Sequence, residues 1–181
     1  MASAPQSVHA FHVGDKVVYP NHGVGVIEQI SQRYFNNQMQ RFYELRISAS
    51  SLKVTVPISN ANAVGLRPVL KSTEAAQVLS FLQDGSFEDA NSDWKFRFKE
   101  NSERMRTGSL LDVAAVLKNL LNLHRIKPLS PREKKMVERA RYLVASEIAM
   151  AKNIDENAAD ELIVDTMAKL QLKFPELMPD A

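Results

Sequence analysis

Apolar residues along the chain follow two different rhythms, with the change near residues 70–72. Before it come β-rich runs: KVVYP at 16–20, VGVIEQISQRYF at 24–35, MQRFYELRI at 39–47 and SLKVTVPI at 51–58. They are separated by Asn21-His22-Gly23, by Asn36-Asn37-Gln38 and by a connector from Ser48 to Ser51. Short strands joined by tight turns predict a small, strongly bent antiparallel sheet or barrel.

From Ser72 the apolar positions recur at helical spacing. A first helix is expected over 73–83, ending at Asp84-Gly85, and a second with Asn91 or Ser92 as N-cap and Gly108 just past its end. Ser109 and Asp112 open a third helix to about His124, with apolar residues at 110, 111, 113, 114, 116, 117, 120 and 121. An apolar surface of that width belongs at the centre of a bundle. Ser130-Pro131-Arg132-Glu133 is the clearest start signal, combining a Ser cap, Pro at the first helical position and Glu three residues after the cap. It opens a fourth helix to about Ala151, with Val137, Ala140, Val144 and Ile148 on one stripe, and a fifth runs from Asp155 to about Leu172. The expected organisation is a tail over 1–10, a β module over 11–70, a helical domain over 71–173 and a C-terminal tail over 174–181.

Composition narrows the chemistry. With 181 residues and 45% apolar content the chain can build a real core. It has no cysteine, which removes disulfides, thiolate metal sites and cysteine nucleophiles and fits a reducing compartment. No apolar run approaches the roughly 20 residues of a membrane span, and MASAPQSVHA lacks the basic end and apolar stretch of a signal peptide. His9, His12, His22 and His124 are scattered, no HExxH, P-loop or GxSxG pattern occurs, and Asp84, Glu88, Asp89 and Asp93 read as caps and solvated charge. The expectation is a non-enzyme without cofactor or metal.

Charge is distributed unevenly. Residues 93–152 carry fourteen Lys and Arg against seven Asp and Glu, whereas 71–92 carry one against four and 153–181 two against seven. A basic segment between acidic flanks suits a polyanion, or is a solvated helical face. On the fourth helix Arg132, Lys135 and Arg139 follow i, i+3, i+7 spacing, flanked by Lys134 and Arg141. The stretch NSDWKFRFKEN at 91–101 holds the single tryptophan, Trp94, among Lys95, Arg97 and Lys99. It supports two readings: a buried stripe of Trp94, Phe98 and Met105, or an aromatic wedge beside cations and helix N-terminal amides that seat a phosphate.

FHVGDKVVYPNHGVGVIEQI resembles the CarD/CdnL family of bacterial RNA polymerase-binding transcription regulators, and its VGDxVVYPxHG pattern is shared with the polymerase-interacting module of the transcription-repair coupling factor. SDWKFRFKENSERMRTGSLLDVAAVLKNL and LSPREKKMVERARYLVASEIAMA are similar to the helical domain of the CarD family. The resemblance covers about residues 11–172. It implies an α+β chain, with a Tudor-like β module that docks on the polymerase β subunit and a helical domain that meets promoter DNA at the upstream edge of the melted bubble. It also implies that Trp94 enters the minor groove there and hinders the bubble from closing, which reverses the buried-stripe reading.

The resemblance places DNA contacts at Trp94, Lys95, Arg97, Lys99, Lys134, Lys135, Arg139 and Arg141. Relatives commonly carry WxRRY; this chain has Phe96 and then Arg97, so one implied phosphate contact is lost unless Lys95 replaces it. Polymerase contacts fall on Arg33, Phe35, Thr55 and Pro57, with Thr55 standing where some relatives have arginine or a large apolar residue. The implied protein is a cytoplasmic monomer without membrane contact. Two other functions compete: an architectural DNA binder that needs no polymerase, and a polymerase-bound adaptor that recruits another protein.

Overall fold

The computed structural model describes residues 10–88 and 92–176. The chain divides after Pro68 into two compact units.

The first unit is an antiparallel sheet of five strands, β1 (Lys16–Tyr19), β2 (Gly23–Phe35), β3 (Gln38–Ile47), β4 (Lys53–Pro57) and β5 (Arg67–Pro68), in the order β4-β3-β2-β1-β5. The four β-rich runs became β1 to β4. β5 carried no legible pattern, because two residues ending in proline are too short to show a period. Asn36 and Asn37 turn between β2 and β3 with φ of 51° and 58°, the left-handed pair that a two-residue hairpin requires and that asparagine tolerates. β2 bends at a bulge between Ile27 and Gln29. Ile27 lies opposite Leu45 and Ile30 opposite Tyr43, so the extra residue, Glu28, lets two isoleucines three apart both face inward. They join Phe11, Val17, Tyr43, Leu45 and Val56 in the core of this unit.

Gly25 lets β3 approach β2 closely. A Cβ there would lie 2.8 Å from the Arg46 carbonyl oxygen and 3.2 Å from the Ile47 Cδ1. Gly25→Ala should therefore push β2 away from β3 and cost about 1–3 kcal/mol, as overpacking does. Urea denaturation, with hydrogen exchange of the β2 and β3 amides as local readout, measures it; unchanged protection would show that β3 yields without cost.

The second unit holds five helices, α1 (Ser72–Gln83), α2 (Trp94–Arg106), α3 (Leu110–Ile126), α4 (Pro131–Lys152) and α5 (Glu156–Lys169). Ser109, Ser130 and Asp155 cap α3, α4 and α5 through their side chains. α2 is capped by Asp93, which accepts the Lys95 N–H at 2.9 Å, instead of by Ser92; Asn91, the other expected cap, lies outside the described residues. Ionised Asp also complements the positive end of the helix dipole better than Ser. The core runs through α1, α3, α4 and α5, with Leu117, Leu121, Val144, Ile148 and Ile163 fully enclosed. Leu111, expected on the apolar face of α3, is exposed instead. α5 stops at Lys169, yet Leu172 is buried and Phe174 packs against the core, so the expected tail is docked at its start. No described helix is long and apolar enough to cross a membrane.

Candidate functional site

The β unit brings the four expected polymerase residues onto one face. Phe35 pairs with Gln38 and Arg33 with Gln40 across β2 and β3, while Glu44 pairs with Thr55 and Phe42 with Pro57 across β3 and β4. Directly opposed residues share a face, so Arg33, Phe35, Thr55 and Pro57 stand on the side of the sheet turned away from its core residues Tyr43, Leu45 and Val56. Arg33 donates to Glu44 at 2.5 Å, which holds the guanidinium along the strand. Phe35, Tyr34 and Met39 leave large apolar side chains exposed at the hairpin tip.

In the helical unit Trp94 is the first residue of α2 and is 46% exposed. The buried-stripe reading fails at this position: α2 buries Arg97, Asn101 and Met105 instead, and Phe98 only partly. Phe96 is exposed, and the Lys95 ammonium lies 5.9 Å from the Trp94 ring centre. The tip of α2 thus presents an aromatic ring, a cation and the first backbone amides of a helix.

Arg97 requires a correction. It is 5% exposed, and its Nε and Nη2 donate to Glu133 Oε1 at 2.9 and 2.6 Å. A guanidinium committed to a buried carboxylate cannot also reach a DNA phosphate without breaking that pair. Arg141 is likewise occupied, by a bidentate pair with Asp160 and by the Phe174 ring beneath it. Arg139 stacks on Tyr142, and Lys99 reaches Glu103 at 4.0 Å. Lys95, Lys134 and Lys135 have no ion-pair partner among the described residues, and Arg132 lies over the Phe98 ring at 5.9 Å. Of the expected DNA contacts, Lys95, Lys134 and Lys135 therefore stand without an ion pair among the described residues, at the first turns of α2 and α4, while Lys99 stays exposed one turn further along α2.

Two side chains were missed by sequence reasoning. Glu133 was legible as a capping residue, and its Oε2 does accept the Ser130 N–H and hydroxyl at 3.0 and 2.8 Å; nothing in the spacing showed that its other oxygen holds Arg97. Burial pushes its carboxyl upward, but the bonds from Ser130 and Arg97 outweigh this and hold it below the ordinary 4.5. A lowered folded-state value stabilises above the unfolded value and is lost as pH falls through the folded one. Glu133→Gln should therefore flatten the acid side of the stability profile below about pH 4.5, measured by urea denaturation across pH.

Lys118, on the otherwise apolar buried face of α3, is 1% exposed. Its ammonium donates to the Phe81 carbonyl at 2.9 Å and lies 4.6 and 5.4 Å from the Phe81 and Phe87 rings. It satisfies a carbonyl at the end of α1 and grips the segment leading toward α2. Burial holds its pKa below the ordinary 10.5, against an opposite pull from Asp84. Between the folded value and 10.5 the unfolded chain binds more protons, so this group makes stability rise with pH in that interval. Lys118→Met should abolish that rise, in paired denaturation series of wild type and variant at alkaline pH.

Comparison with known proteins accounts for both units. A family model described as CarD-like/TRCF RID domain matches residues 11–70, and one described as CarD, C-terminal domain, matches residues 77–164. A candidate transcription factor of Bacillus subtilis (strain 168), YdeB, is 34% identical over 146 residues, covering 81% of this chain and 95% of that protein.

Proposed function

Because the chain belongs to the CarD family of transcription regulators, we propose that it docks on the RNA polymerase β subunit and stabilises the promoter open complex by holding the upstream edge of the bubble. The match of residues 11–70 to a polymerase-interacting type of module supports the first half, with Arg33, Phe35, Thr55 and Pro57 as the docking residues. The observation that carries the second half is the half-exposed Trp94 at the tip of α2, set beside Lys95.

A planar ring inserted at a base step gains more where the duplex is already unstacked, as at a bubble edge. The wedge therefore binds the open complex better than the closed one, and it shifts the equilibrium only by that difference. About 1–2 kcal/mol of differential binding changes the ratio of open to closed complexes roughly five- to thirtyfold. Lys95, Lys134 and Lys135 contact phosphates and carry no sequence information. Such contacts are weak alone, but docking on polymerase raises the local concentration of the helical unit, so weak contacts suffice.

The decisive experiment follows open-complex lifetime with a fluorescent reporter at the upstream edge of the bubble, with and without the protein at saturating polymerase occupancy. Lengthening supports the reading. Unchanged lifetime with firm polymerase binding would indicate an adaptor, and steeply salt-sensitive duplex binding without polymerase an architectural DNA binder. The phosphate contacts have their own signature: Lys134→Ala and Lys135→Ala should each reduce the slope of log affinity against log salt by about 0.9 in a polymerase-promoter titration.

A further inference from the structure

α2 is anchored unevenly. Among the described residues Met105, near its C-terminal end, is its one member of the hydrophobic core. That end is also tied by Arg104, which donates to Glu88, outside the helix, at 2.7 Å. The opposite end, where Trp94 stands, has no such apolar anchor. One turn beyond Trp94 the guanidinium of Arg97 enters the protein and meets Glu133, itself 3% exposed. A single carboxylate closes the first turn of α4 through Ser130 with one oxygen and binds α2 with the other. Arg132 over the Phe98 ring adds a second tie between the same two helix starts.

We infer that Arg97 and Glu133 are positioning residues, a buried ion pair that fixes the direction of the Trp94 ring relative to the cations of α4. A guanidinium whose Nε and Nη2 both donate to one carboxylate oxygen is fixed in direction as well as distance, which an apolar contact does not achieve. Buried between two helix starts, the pair is screened little by salt. A wedge held ready in one direction loses less freedom on insertion than one that swings about a frayed first turn. Its use in insertion rests on the wedge function proposed above; the positioning itself does not.

The protein offers its own probe, since Trp94 is its single tryptophan. Time-resolved fluorescence anisotropy of the full chain, without DNA or polymerase, separates ring motion from overall tumbling. Arg97→Lys keeps the charge and loses the fork; Glu133→Gln keeps the shape and the acceptor for Ser130 while losing the charge. In both, the amplitude of local Trp94 motion should rise at least twofold, with far-UV helicity retained. Amide exchange in the first turns of α2 should accelerate at least tenfold more than in α3. Unchanged Trp94 motion in a folded variant overturns the proposal. So does equal loss of protection in α2, α3 and α4, which would make the pair a stabiliser of the whole unit. The same variants should shorten open-complex lifetime without weakening polymerase capture.

Discussion

Trp94→Ala is expected to leave the protein folded and bound to polymerase while removing its effect on open-complex lifetime. Truncating a tryptophan inside a core costs about 3–5 kcal/mol. Trp94 keeps nearly half its surface in solvent and lies outside the hydrophobic core, so its removal should cost no more than about 1 kcal/mol. The functional loss should be far larger relative to what is at stake. If the ring supplies about 1–2 kcal/mol of preference for the open complex, lifetime falls roughly five- to thirtyfold, back to that of polymerase alone. Helicity, thermal midpoint and polymerase capture, measured on the same preparation, separate this outcome from misfolding. A variant that unfolds would make Trp94 structural after all, and a folded variant with full activity would move the wedge to another side chain, with exposed Phe96 the first to test.

Three residues along the same helix the opposite result is expected. Arg97→Met leaves the Glu133 carboxylate buried with its remaining bonds from Ser130 but without a cation. Breaking a buried pair on one side costs about 3–5 kcal/mol, because the stranded charge keeps its full desolvation penalty. Pairing that substitution with Glu133→Leu removes both charges and should recover most of the loss, since hydrophobic replacement of a whole buried pair is often neutral. Urea denaturation of wild type, both single variants and the double variant gives the coupling energy directly. Additive costs would mean that the two groups, though within hydrogen-bond distance, do not depend on each other. Lys95→Ala, two residues earlier and exposed, should stay within about 0.5 kcal/mol of wild type.

The contrast between neighbouring residues marks where reading the sequence stops. Four strands, five helices, the Ser130 capping box and the stripe from Val137 to Ile148 were legible, because caps, turn residues and apolar periods are local signals that repeat within one element. The family was legible too, since VGDxVVYPxHG and the motif around Trp94 are contiguous stretches. The exposure of Trp94 was not legible from the residues. A ring at i, i+4 and i+11 spacing with Phe98 and Met105 looks buried until neighbouring helices show which arc of α2 they cover.

The basic residues show the same limit. Arg97, Arg141 and Lys99 read alike in a charge count, yet one is buried against Glu133, one clamped to Asp160 and one solvated beside Glu103. Lys118 counted as one more cation and proved to lie within the aromatic packing of Phe81 and Phe87. By itself the sequence determined four of the five strands, the five helices, their order and the family. Only the tertiary structure decided which charges remain on the surface, because the carboxylates that occupy Arg97 and Arg141 lie 36 and 19 residues away along the chain, and an ion pair forms wherever folding closes that distance to a few ångströms.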